Sequence, residues 1–353
     1  MQLTPENIEY IFDYIEKLCG IALDDTKGYL IDARLGPLLK KHSAKDAVEL
    51  IDKAKSAAGD PIRKSLVEAM TTRETFFFRD NSPFEALQFK ALPEVLDVKF
   101  RERNPRLRIW SAAASSGQEA CSIAIVLHEM IPDLHRWDIQ ILATDISDDA
   151  VARGRAGVYS TLEVERGLPK PHISKYFVPH KYGYQVVDSV HRMIRFQQLN
   201  LLEPFHFPIP FDIIFCRNVA IYFEKKVKID LFRRMLPIMP RHGYLFVGVS
   251  ESLYDCGPEF KPQHHCKSTF YQPNLAACQV TGSPPLMSTV SRVTPAPSAT
   301  PRPPSNALPT SAGKPPTTLP SPAVGARTLP QTPSVKTVAV ESPTRTWPPS
   351  TKR

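Results

Sequence analysis

Apolar residues recur along this chain in two rhythms, and the change of rhythm marks its organisation. From Thr4 to Met70 the spacing is helical. Thr4-Pro5 pairs an N-cap with proline in the first turn, and Ile8, Ile11, Phe12, Ile15 and Leu18 then share one face until Gly20 ends the run. Leu30, Leu35, Leu38 and Leu39 predict a second helix, and Val48, Leu50, Ile51 and Ala54 a third. Asp60-Pro61 opens a fourth, with Ile62, Leu66, Val67 and Met70 inside. From about Phe84 short apolar runs alternate with helical stretches. Residues 107–110 read as a buried strand, 111–117 as a turn of small residues, and 120–127, apolar nearly all round, as a helix packed on a sheet. Residues 139–146, 211–216, 243–249 and 268–272 repeat the strand pattern. Residues 199–202 are expected to return to the sheet and 225–239 to form a helix. Strands alternating with helices predict a Rossmann-like, doubly wound α/β sheet. Residues of about 155–197 break that rhythm with Tyr159, Tyr176, Phe177, Tyr182 and Tyr184. They read as an inserted subdomain ending in short antiparallel strands.

Composition refines this outline. A chain of 353 residues with 42% hydrophobic content suggests two or so folded units. No stretch approaches the ~20 apolar residues that span a bilayer. The start, MQLTPENIEY, lacks the basic-then-apolar order of a secretory signal. Six scattered cysteines without a CxxC pair fit reduced, cytosolic thiols. Cys256, His264, His265, Cys266 and Cys278 lie close in sequence, but their irregular spacing, in what reads as the turn before the last strand, does not suit zinc, and no metal is expected. The net charge of +8 hints at nucleic acid until it is located: residues 281–353 carry eight basic side chains and one acid, so the first 280 residues hold only +1. A nearly neutral body argues against a nucleic-acid partner. The same segment holds 17 of the 35 prolines, a composition expected to stay disordered. The expected divisions are therefore a helical domain and linker at 1–80, an α/β domain at 81–275, and a tail at 276–353.

Candidate chemistry gathers at the expected tips of the strands. The turn at 111–117 has a single glycine, so the dinucleotide fingerprint is absent; it suits either an ordinary strand-to-helix turn or a cofactor approaching the backbone. Asp145 ends the second strand, where such folds bind ribose hydroxyls, although it or Ser147 could instead cap the next helix. Arg217 and Asn218 end the strand at 211–216, at the ligand-binding edge of an open sheet. In TTRETFFFRD, residues 76–78 could seal a joint between domains. Arg73, Thr75 and Arg79 are harder to explain as packing, since an arginine beside a cofactor pocket binds a carboxylate in a fork. Arg34, Lys40, Lys41 and His42 give the second helix a basic face, either merely solvated or offered to a partner.

Six motifs in order, TTRETFFFRD, SAAASSGQEACSIAI, ATDIS, NLLEPF, FDIIFCRNVAIYF and GYLFVGVSES, resemble the chemotaxis receptor methyltransferase (CheR) family over roughly residues 5–275. The resemblance implies a helical domain, an S-adenosylmethionine-binding α/β domain and an inserted β subdomain. It also implies methyl transfer to receptor glutamates, giving methyl esters and S-adenosylhomocysteine. By position it implies cofactor contacts at Arg73, Thr75, Arg79, Glu119, Asp145, Asn200, Leu201, Arg217 and Asn218. Arg79 and Tyr222 are the expected catalytic pair, Tyr222 positioning the acceptor oxygen unless it is simply packed beside Phe223. The expected partners are the methylation helices of chemoreceptor cytoplasmic domains, met by a monomer recruited to membrane receptors from the cytoplasm without inserting in the membrane. Residues 177–196 look shorter than in members that tether to a receptor peptide, so docking is expected through the basic face of Arg34, Lys40 and Lys41. Rival readings are a methyltransferase with another acceptor and a non-catalytic cofactor-binding signalling protein. A base-flipping nucleic-acid enzyme is disfavoured because residues 218–222 lack its paired prolines.

Overall fold

The computed structural model describes residues 4–23 and 27–281. The N-terminal residues fold as the helical rhythm predicts. Thr4 caps α1 (Pro5–Cys19) by accepting from the Asn7 amide, and Gly20 closes it in the left-handed conformation. A wide helical turn at Ile31–Leu35 runs into α2 (Gly36–Lys41), followed by α3 (Ala47–Lys55) and α4 (Asp60–Met70). Ile11, Ile15, Leu35, Leu50, Ile51 and Leu66 form a core that these helices share. Two further helices, α5 (Ser82–Ala86) and α6 (Leu92–Arg101), lead to the sheet.

The sheet is built from β1 (Arg106–Ala112), β2 (Asp138–Asp145), β6 (Ile194–Gln198), β7 (Ile213–Cys216), β8 (Tyr244–Phe246), β9 (Phe260–His265) and β10 (Ser268–Pro273). Their order is β6-β2-β1-β7-β8-β10-β9. The first five are parallel, and β10 runs antiparallel to both β8 and β9. Because side chains alternate along a strand, each central strand feeds two cores. Leu107 and Ile109, Ile213 and Phe215, Tyr244 and Phe246 point into one. Trp110 and Ala112, Ile214 and Cys216, Leu245 point into the other. Helices α7 (Gln118–Met130), α8 (Asp148–Ala156) and α12 (Lys225–Met235) cover these faces. The chain moves outward from β1 to β2 and β6, then returns to place β7 on the other side of β1. That reversal opens a crevice at the strand tips, the ligand position of open α/β sheets.

Between α8 and β6 lies the inserted unit: β3 (Val158–Tyr159), α9 (Thr161–Glu165), α10 (Lys170–Tyr176), β4 (Phe177–His180), β5 (Gly183–Val186) and α11 (Asp188–His191). Its small antiparallel sheet has the order β3-β5-β4.

Three expectations change. The third parallel strand is Ile194–Gln198, paired with β2, and not residues 199–202. As an edge strand it buries Ile194 and Phe196 on one face and exposes Arg195 and Gln197 on the other, so it imitates a hairpin strand. The insert accordingly ends before residue 194. Residues 260–265, read as a turn, form the opposite edge strand, β9. Residues 275–281, placed mostly in the tail, form α13 (Leu275–Thr281). The expected disorder of the tail lies, from residue 282, outside the described residues.

Candidate active site

A cavity opens at the tips of β1, β2 and β7, the ligand position of an open α/β sheet. The turn at 113–117 forms its floor. Ala113, Ser115 and Gly117 all adopt positive φ there. Gly117 has no alternative: a Cβ at that position would stand 2.7 Å from the Phe196 ring.

Asp145, 8% exposed, sits at the tip of β2. One carboxylate oxygen accepts from the Ser115 amide at 2.8 Å and the other from the Ser147 amide at 3.0 Å. The cap of α8 is Ser147, whose Oγ accepts from the Ala150 amide at 2.9 Å. Asp145 is therefore not needed as a helix cap and lines the cavity. A carboxylate offers about four lone-pair sites, so one remains on each oxygen, the arrangement that two neighbouring ribose hydroxyls require. Burial pushes the Asp145 carboxyl above its ordinary range, against the opposing pull of the two backbone donors.

Across the floor Arg217 is almost wholly buried. Its guanidinium donates to Glu119 Oε2 at 3.0 Å, Asp80 Oδ2 at 2.7 Å and the Arg79 carbonyl at 2.9 Å. Glu119 also accepts from Ser111 Oγ at 2.7 Å. Two carboxylates thus hold one buried cation, a grouping that fixes geometry more than it adds stability. Arg217 Nε is buried without a partner among the described residues. One orphan donor on Arg217 and free lone pairs on Glu119 and Asp145, all residues of the cavity wall, suit a ligand bearing both acceptors and donors. S-adenosylmethionine, with its hydroxyls, amino group and carboxylate, fits these residues.

The remaining walls come from distant segments. Arg73 bridges to Glu68 at 3.2 Å, and Glu68 also accepts from Ser147 Oγ at 2.6 and 2.8 Å, tying α4 to α8. Arg79 donates to the Glu74 carbonyl at 2.6 Å and lies 5.8 Å over the Phe76 ring, whose other neighbour is Arg166 of the insert at 4.3 Å. Phe77, fully buried, packs edge-on against Tyr159 and Phe177. The phenylalanine run therefore seals against the insert, where a joint with the helical domain had been expected. The Asn200 amide staples two segments: it donates to the Leu18 carbonyl at 3.1 Å and accepts from the Leu202 amide at 3.0 Å. Asn218 and Tyr222 follow β7, and the Tyr222 carbonyl accepts from the Ala22 amide at 2.9 Å.

All the residues expected to touch the cofactor, with Tyr222, line this one cavity: Arg73, Thr75, Arg79, Glu119, Asp145, Asn200, Leu201, Arg217 and Asn218. Arg34, Lys40 and Lys41 do not. Arg34 donates to the carbonyls of Ala69 and Met70, capping the end of α4. Lys41 reaches Ser65 Oγ at 3.0 Å, and both lysines are exposed. Sequence reasoning missed Cys19 and Ile21, which bring the end of α1 into the wall; no local pattern announces such a contact. Burial pushes the Cys19 thiol up to about 11, which rules it out as a ready nucleophile. It also gave no role to Asp80 and Glu251, acids that stand inside the motifs TTRETFFFRD and GYLFVGVSES.

Residues 73–268 match the family described as CheR methyltransferase, SAM binding domain. The chain is similar to "Chemotaxis protein methyltransferase Cher2" of Pseudomonas putida, 39% identical over 68% of this chain and 88% of the relative. It is equally similar to "Chemotaxis protein methyltransferase 1" of Pseudomonas aeruginosa, 39% identical over 72% of this chain and 92% of that one.

Proposed function

This chain belongs to the CheR methyltransferase family, and from that membership we propose that it methylates side-chain carboxylates of chemoreceptor glutamates, giving methyl esters. The observation that carries the reading is the convergence of Asp145, Arg79 and Tyr222 on one cavity. S-adenosylmethionine, when bound, supplies an electrophilic methyl group on a sulfonium. Asp145 holds the ribose end, while Arg217 and Glu119 face the amino-acid end. Arg73, Thr75, Asn200, Leu201 and Asn218 complete the enclosure. The acceptor glutamate is already ionised at neutral pH, so no side chain has to remove a proton. The protein's part is alignment and exclusion of water. Arg79 orients a carboxylate with its planar fork, and Tyr222 places the acceptor oxygen.

The helical domain, residues 1–80, presents the acidic methylation helices with Lys40 and Lys41. The catalytic domain runs from 81 to the end of α13 at Thr281. The enzyme works as a monomer at the cytoplasmic side of membrane receptors; no helix among the described residues is long and apolar enough to cross a membrane. The deciding experiment supplies labelled S-adenosylmethionine and receptor-containing membranes. Label should enter the receptor and leave in base, as a methyl ester does. Base-stable label, or label on another protein, would replace the acceptor named here.

A further inference from the structure

We propose that Glu251 is a positioning residue for this reaction: its buried carboxylate locks the 218–222 turn so that Asn218 and Tyr222 face the cavity. Glu251 is absent from the cavity wall and 6% exposed. Its Oε2 accepts from the Asn218 amide at 2.7 Å and from the Gly248 amide at 2.6 Å. Its Oε1 is buried with no partner among the described residues. A buried charge with one bare oxygen is costly as a pure stability device. What the carboxylate does accomplish is conformational. Asn218 has φ 56, in the left-handed region. Asparagine tolerates that region better than most residues, so an acceptor on its backbone amide has only to select it.

Gly248 supplies the space for this lock. A Cβ at Gly248 would lie 2.6 Å from Glu251 Oε2 and 2.8 Å from Asn218 Nδ2. The carboxylate, the glycine and the asparagine amide therefore occupy one another's van der Waals limits. The far end of the same turn is held separately, by the Ala22 amide on the Tyr222 carbonyl at 2.9 Å. Between them Ala220 is buried in the sheet's second core. Glu251 thus fixes the first residue of a short turn whose last residue is Tyr222. Through that backbone it sets two side chains of the cavity wall without touching the cavity.

This inference rests on the methyltransferase reading, and its test separates the two. Full-length Glu251→Ala and Glu251→Gln proteins are compared with the parent for S-adenosylhomocysteine affinity, for kcat and receptor KM, and for the amide resonances of Asn218 and Gly248. Glu251→Ala should lower kcat about tenfold to a hundredfold, as small misplacements do, with receptor KM within about threefold. Glu251→Gln keeps one oxygen that accepts both amides, so it should return kcat to within about threefold of the parent. Its weaker, uncharged bonds should move the Asn218 and Gly248 amide protons upfield. Parental kcat in Glu251→Ala overturns the inference, as does a Glu251→Gln protein as inactive as Glu251→Ala. If Glu251→Ala does not fold, unmoved amide resonances in Glu251→Gln overturn it instead. A parent that binds S-adenosylhomocysteine yet methylates no receptor would defeat the methyltransferase reading, while the amide resonances would still judge the lock.

Discussion

At the scale of single residues, the site depends on side chains whose ordinary chemistry has been shifted or constrained by burial. Asp145 is the clearest case. In its proposed role as acceptor for ribose hydroxyls it acts in the ionised form, and burial raises its pKa. Affinity for S-adenosylhomocysteine is then full above that raised pKa and falls as pH drops through it, at a higher pH than for an ordinary aspartate. Calorimetry at stepwise lower pH should show this fall setting in above the usual aspartate pKa of about 3.9, and Asp145→Asn should abolish the pH dependence. Asp145→Ala should cost on the order of 2–3 kcal/mol of binding; unchanged affinity would remove Asp145 from the site. Tyr222 and Arg79 make a different prediction. Tyr222→Phe should reduce kcat on the order of tenfold or more while leaving cofactor affinity alone, because alignment of the acceptor is lost and binding is not. Arg79→Lys should be similarly poor, since an ammonium lacks the planar fork. Full turnover in either variant would strip that residue of its role.

At the scale of elements, local signals and their limits are both visible. Thr4, Gly20 and Pro61 delimit helices as the sequence indicates, because capping depends on neighbours within a turn. Strand β6 was misplaced because an edge strand has one wet face, and β9 was read as a turn for its polar residues. The basic face of α2 is partly structural, since Arg34 is engaged on the end of α4. The docking role proposed above therefore rests on Lys40 and Lys41. Replacing both with glutamate should slow receptor methylation several-fold, and the parent's rate should weaken with salt, as expected of exposed charge pairing. In the insert, β4 and β5 are joined by only Lys181 and Tyr182. Titration with receptor C-terminal pentapeptides should show no micromolar binding. Tight peptide binding, with methylation unaffected in the double-lysine variant, would reverse this assignment.

At the scale of the whole molecule, every described core is built from residues before 275: one among α1–α4 and two on the faces of the sheet. Removal of residues 282–353, proline-rich and nearly without aromatic side chains, should leave melting temperature and cofactor affinity unchanged. A fall of several degrees on truncation would show that the tail contributes to the fold. The sequence alone determined the layered α/β architecture, the helical start and the position of Asp145 at a strand tip. Periodicity, caps and strand ends are set by residues near one another in the chain, so they can be read there. Tertiary structure alone decided which distant groups meet. Arg217 finds Glu119 across 98 residues, Asn200 reaches Leu18 across 182, and Glu251 holds Asn218 from 33 residues away. Such pairings arise from strand order and the return of the chain past β1, which no local pattern encodes. The candidate contacts were legible as residues, but the buried clamp and the locked turn that aim them exist only once the sheet has formed.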